Sequence, residues 1–182
     1  MGSFLREVLI TLLIAALLFL GIQYSIQNSE VIGYSMEPNL HNGERVLINK
    51  LAYRFGGTPH RGDIMVLIPP KSQGADDDFI KRVIGLPGEK VELRGGTVYI
   101  HEADGNMFAL DETYVPDHSM QDYMSERIPD GQYFVMGDNR NHSSDSRGGW
   151  TVGLDDIVGK AWLITWPLSD IGLGPNYSLP SG

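Results

Sequence analysis

Val8-Leu-Ile-Thr-Leu-Leu-Ile-Ala-Ala-Leu-Leu-Phe-Leu-Gly-Ile22 runs fifteen residues without a charge. Eleven of the fifteen are Leu, Ile, Val or Phe, which together favour insertion into lipid by roughly 3–7 kcal/mol. Carried on to Ile26, the run makes about 28 Å of helix, close to a hydrocarbon core of about 30 Å. Tyr24 then falls where interfacial aromatics sit. A helix apolar on every side suits lipid better than a globular core. A cleaved leader would need a small-x-small pair after the run, and Gly21-Ile22-Gln23 and Gln27-Asn28-Ser29 fit poorly. Residues 1–28 therefore read as a short stub and an uncleaved signal-anchor. Arg6 is the sole basic residue before the run, which places the N-terminus in the cytoplasm and the rest outside the cell membrane.

Working outward, the remaining chain carries β signals. Arg45-Val-Leu-Ile-Asn49 and Asp63-Ile-Met-Val-Leu-Ile-Pro69 are short apolar runs bounded by Gly and Pro. Val91–Arg94 and Thr97–Ile100 flank Gly95-Gly96, a two-residue hairpin signal. Gln132–Met136 and Ile157–Trp166 complete the set, with a short turn near Leu51-Ala52-Tyr53. The fold class is mainly β: a transmembrane helix, then an antiparallel ectodomain. Residues 29–90 and 129–170 form its core, the polar stretch 91–128 a small inserted lobe, and 171–182, rich in Gly, Pro and Ser, a flexible tail. Ala75-Asp76-Asp77-Asp78 reads as a solvated acidic turn.

Composition narrows the chemistry. A net charge of −9 over 182 residues argues against nucleic acid as a partner, because phosphate binding needs a basic surface. No cysteine is present, which excludes disulfides and thiol catalysis. The five histidines, at 41, 60, 101, 118 and 142, show no ligand-like spacing, so neither a metal nor another cofactor is expected.

Three blocks carry candidate chemistry. Val31-Ile-Gly-Tyr-Ser-Met-Glu-Pro-Asn-Leu40 holds Ser35 on a path restricted by Gly33 and Pro38. A serine hydroxyl needs a base to take its proton. Phe79-Ile-Lys-Arg-Val-Ile-Gly-Leu-Pro-Gly-Glu89 offers Lys81 behind two apolar residues that can strip water from its ammonium. Gly137-Asp-Asn-Arg-Asn-His-Ser-Ser-Asp-Ser-Arg147 packs hydroxyls, acids and bases into eleven residues. Taken singly, each also reads as a turn or a solvated strand end.

Together and in this order, the blocks resemble the type I signal peptidases. That resemblance implies Ser35 as nucleophile and Lys81 as general base of a membrane-anchored serine endopeptidase. It implies that Ser143 orients Lys81, and that Asp145 pairs with Arg147 to brace the loop. A donor near Gly33 would join the Ser35 N–H in holding the oxyanion. Val31, Ile32, Met36, Leu40, Phe79 and Ile80 would line shallow apolar pockets for preprotein signal peptides cut after a small-x-small motif. The implied partners are those peptides and the lipid bilayer. Two departures from the family pattern stand out. Asn39 replaces the usual Thr, which puts local turn bonding in question, and Gly33 replaces a serine found in some members. A Ser-His-Asp set drawn from Ser35, His142 and Asp145 is the alternative within the same blocks.

Overall fold

The computed structural model describes residues 2–75 and 77–180. Asp76, within the expected acidic turn, lies outside the described residues, as do Met1, Ser181 and Gly182. The helix α1 (Gly2–Ser25) leads into twelve strands: β1 (Ile26–Glu30), β2 (Arg45–Asn49), β3 (Ile64–Leu67), β4 (Phe79–Gly85), β5 (Lys90–Arg94), β6 (Thr97–His101), β7 (Met107–Ala109), β8 (Tyr123–Met124), β9 (Gln132–Met136), β10 (Val152–Gly153), β11 (Ile157–Trp166) and β12 (Gly172–Leu173). Phe4–Ser25 is long and apolar enough to cross a membrane, and none of it is buried against the rest of the protein. The helix stops earlier than the expected boundary at residue 28. Ile26–Glu30 instead pairs with β2 through Ile26–Asn49 and Glu30–Arg45, because Gln27, Asn28 and Ser29 gain nothing from lipid and fill a sheet edge.

The main sheet runs β1-β2-β11-β3-β4-β9-β10, antiparallel throughout, with β12 on the flank of β11 beyond β3. Strand β3 shows why the sequence reads as an unbroken apolar run. Ile64 and Val66 enter one core with Val31, Met36, Leu40, Val46 and Ile48, whereas Met65 and Leu67 enter another with Val83 and Val135. Successive side chains alternate faces, so burial on both sides demands apolar residues at every position. The inserted lobe is a second sheet, β7-β6-β5-β8. Its Val91, Leu93, Val98 and Ile100 pack on Ile84 and Phe134 of the main sheet.

The tail departs from expectation. Residues 172–180 are docked, not free. Gly172–Leu173 pairs with β11. Asn176 accepts from the Ile64 N–H at 2.7 Å and donates to the Ala161 carbonyl at 2.8 Å. The Tyr177 ring stacks on Tyr114 with centroids 4.9 Å apart. Backbone carbonyls left over along this path are taken up by buried arginines: Arg82 reaches Pro175 at 2.8 Å and Arg61 reaches Pro180 at 2.6 Å.

Candidate active site

Ser35 sits in a turn that the core holds from below. Gly33 takes φ +89°, a conformation that favours glycine. Met36 and Leu40 are essentially fully buried, and the Asn39 and Leu40 N–H groups both bond the Met36 carbonyl at 3.0 Å. From the other side, Asn139 clamps the serine backbone. Its N–H donates to the Ser35 carbonyl at 3.0 Å and its side-chain amide donates to the Tyr34 carbonyl at 3.1 Å. The Ser35 N–H finds no acceptor among the described residues, leaving it free to meet a developing anion.

Strand β4 brings the lysine. Its alternation puts Ile80, Arg82 and Ile84 on one face, and Phe79, Lys81 and Val83 on the other. The Lys81 side chain donates to Ser35 Oγ at 2.8 Å and to the Ile80 carbonyl at 3.1 Å, with the Phe79 ring centroid 4.9 Å from Nζ. Burial pushes its pKa down to about 8, against an opposing pull from the Asp145 and Asp138 carboxylates. A neutral lysine amine within hydrogen-bond reach of a serine hydroxyl can take its proton.

The third block wraps this pair. A Cβ on Gly137 would collide with Ser143 Oγ and with the Ser35 carbonyl, so only glycine lets the loop close on the serine. Asp145 accepts from the Gly137 N–H at 3.1 Å and forms two bonds of 2.8 Å with the Arg147 guanidinium. Ser143 behaves differently from expectation. Its hydroxyl is buried without a hydrogen-bond partner, and the Ile80 carbonyl takes the second bond of Lys81. Gly33 also departs. Its N–H already donates to Asn42 Oδ1 at 2.8 Å, so the expected donor near it is not its own amide. Nor does the Ser-His-Asp alternative assemble: His142 bonds Asn139 at 3.2 Å, and Asp145 is occupied by Arg147.

A cleft of about 470 Å³ opens beside Ser35 and Lys81, between Val31–Met36 on one wall and Asp77–Lys81 on the other. Ile32 is 69 % exposed on its rim, whereas Val31, Met36 and Ile80 are buried and present only their edges. Leu40 does not reach the cleft. It is wholly in the core beneath, and its part is to hold the turn.

Four supporting residues were not assigned a role from the sequence. Arg82 is fully buried, grips Asp138 at 2.8 and 2.6 Å, and lies 4.3 Å from the Tyr114 ring and 4.9 Å from the Tyr177 ring. Asn39 answers the question raised by its replacement of Thr. Its amide donates to Asp138 at 3.0 Å and to the Tyr114 carbonyl at 2.9 Å, bonding across the molecule and not within its own turn. Asp138, which both of these hold, and Asn139, which clamps the serine backbone, complete the four. Farther out, Arg140 pairs with buried Glu112, and Arg61 with Glu89 at 2.7 Å.

A family model described as signal peptidase, peptidase S26, matches residues 4–166. A probable signal peptidase I-2 of Synechocystis is 38 % identical across 90 % of this chain and 74 % of its own length. Signal peptidase IB of Staphylococcus aureus is 35 % identical across 91 % of this chain and 92 % of its own. A crystal structure of a signal peptidase I from Enterococcus faecalis, 33 % identical, covers 57 % of this chain and 96 % of that one with a TM-score of 0.47. The family match spans both the apolar helix and the β core, and on that ground the chain belongs to the signal peptidase family, peptidase S26, and is a serine peptidase.

Proposed function

We propose that this chain is a membrane-anchored endopeptidase that removes signal peptides from exported preproteins, with Ser35 as nucleophile and Lys81 as general base. The observation that carries the reading is the 2.8 Å hydrogen bond between Lys81 Nζ and Ser35 Oγ, made by a lysine whose burial brings its pKa to about 8. At pH 7 about a tenth of such a lysine is neutral, roughly two-hundred-fold more than for an unperturbed side chain. The neutral amine takes the hydroxyl proton as Ser35 Oγ attacks the scissile carbonyl. The Ser35 N–H meets the oxyanion, the protonated lysine gives its proton to the leaving amine, and Lys81, neutral again, then activates the water that releases the acyl group.

The substrate enters as an extended strand. β4 pairs with β3 through Phe79–Leu67 and Ile80–Val66, while pairing with β9 begins only at Arg82–Met136. The other edge of Phe79–Lys81 therefore faces the cleft with unpaired backbone groups. Opposite it, Val31 bonds Gly43 and Glu44, and Ile32 leaves its backbone open. A peptide laid between these edges completes the sheet. The buried flanks of Val31, Met36 and Ile80 leave room for small side chains, which suits a small-x-small motif. Asp145 and Arg147 brace the loop behind Gly137, and buried Ser143 stands beside it. The helix α1 holds the cleft at the extracytoplasmic surface of the cell membrane.

The test is direct. Detergent-solubilised protein is incubated with a preprotein and the new N-terminus is sequenced. Cleavage after an Ala-x-Ala triplet is expected. No cleavage, or cleavage that persists when the Ala before the cut is replaced by Leu, overturns the assignment.

A further inference from the structure

Strand β2 runs antiparallel to β1 and so returns toward the helix. Asn49 pairs with Ile26, and the Lys50 N–H donates to the carbonyl of Ser25, the last helical residue, at 2.9 Å. The chain leaving β2 therefore stands level with the end of α1. There it forms a braced loop, Lys50–Gly57. The Leu51 N–H bonds Asn49 Oδ1 at 3.0 Å, the Arg54 N–H bonds the Leu51 carbonyl at 3.1 Å, and the Gly57 N–H bonds the Arg54 carbonyl at 3.1 Å. The Tyr53 hydroxyl is pinned to Asp63 Oδ2 at 2.9 Å, and a Cβ on Gly57 would collide with the Ala52 carbonyl.

At the tip of this loop sits Phe55. It is the one non-glycine residue with positive φ (+55°) among the described residues, and at 91 % exposure the most exposed large apolar side chain among them. A strained backbone and a solvated aromatic ring are both unfavourable in water. No contact within the described protein offsets either. Arg54 is exposed and Lys50 half-buried beside it, a basic pair on a chain of net charge −9.

We propose that the Lys50–Gly57 loop docks on the bilayer that α1 enters, with the Phe55 ring at the acyl boundary and Arg54 and Lys50 against anionic headgroups. The inference rests on α1 being a membrane span, and adds a second point of attachment. One helix leaves the ectodomain free to swivel about its axis. A second contact beside the helix stops that rotation and fixes the height and heading of the cleft over the membrane. An aromatic tip flanked by cations is the chemistry that the interfacial layer recognises.

The chain has no cysteine, so single labels can be placed cleanly. Full-length Phe55→Cys, Leu13→Cys and Asp117→Cys proteins carrying a nitroxide are reconstituted in vesicles of an equal mixture of phosphatidylcholine and phosphatidylglycerol. Spin relaxation by oxygen is then compared with relaxation by a water-soluble nickel complex. Oxygen should dominate at positions 13 and 55, and nickel at 117, on the inserted lobe. A label that is lipid-exposed at 13 but aqueous at 55 overturns the docking and leaves the anchor intact. Aqueous labels at both positions overturn the anchor and the docking together. In a second readout, Phe55→Asp should slow cleavage of a bilayer-embedded preprotein about tenfold, in line with one lost apolar contact. A short water-soluble peptide spanning the cut should be turned over at the wild-type rate. Equal effects on the two substrates would also overturn the proposal.

Discussion

With Lys81 as the proposed base, its titration sets the pH behaviour. With a pKa brought to about 8 by burial, its neutral, proton-accepting form grows as pH rises. Turnover should therefore climb through an acidic limb with a midpoint near pH 8 and flatten above it, where a histidine base would give a limb nearer about 6.5. Ser35→Ala and Lys81→Met should each reduce turnover to background while the thermal transition stays cooperative. Near-wild-type cleavage by a folded Lys81→Met protein would remove the dyad from consideration. Gly137 offers a test that does not touch the reacting groups. A methyl group there would meet Ser143 Oγ and the Ser35 carbonyl, so Gly137→Ala must push the serine turn or the loop aside. A displacement of about 1 Å typically costs about a hundredfold in rate. Such a fall in kcat, with the far-ultraviolet dichroism unchanged, is expected for this variant.

The strands were largely legible before the structure. β2, β9 and β11 coincide with their apolar runs because alternation and bounding Gly or Pro residues are local signals. Short β8, β10 and β12 left no such trace, since two residues cannot show a period. The polar supports were hidden for a different reason. Asn39, Asp138, Arg82 and Asn139 are ordinary turn or surface types whose partners lie far along the chain, as Asn39 and Asp138 do at 99 residues apart. Tail residue Asn176, in a Gly- and Pro-rich stretch, gave no hint that it caps β3 and β11. Its role is testable at this scale. Ending the chain at Gly174 removes the Pro175 and Pro180 carbonyls from buried Arg82 and Arg61. Two buried donors would lose acceptors, a cost of about 3 kcal/mol that lowers Tm by roughly 6–12 °C. An unchanged Tm in differential scanning calorimetry would show that the tail only rests on the surface.

As a whole molecule, the protein is one apolar helix, a broad antiparallel sheet and a small second sheet riding on it. The helix makes no buried contact with the sheets, so its loss should leave the β core folded. Deleting residues 1–25 should preserve cleavage of a short soluble peptide. The same deletion should slow cleavage of a preprotein embedded in vesicles by about a hundredfold, because substrate and enzyme then no longer share a surface. Equal turnover of the embedded preprotein by both forms would contradict this. Arg82 gathers contacts from the full span of the chain: the Gly62 carbonyl, the Asp138 carboxylate and, last in order of synthesis, the Pro175 carbonyl. Its neighbour in sequence is Lys81. Until residues 175–177 have docked, that final carbonyl and the Tyr177 ring are missing, one of the four hydrogen bonds of the guanidinium is unmade, and the strand that carries Lys81 lacks a brace. The firm seating of the Lys81 strand therefore waits on a segment 93 residues beyond Arg82, so the assembly of the site is coupled to the docking of the tail.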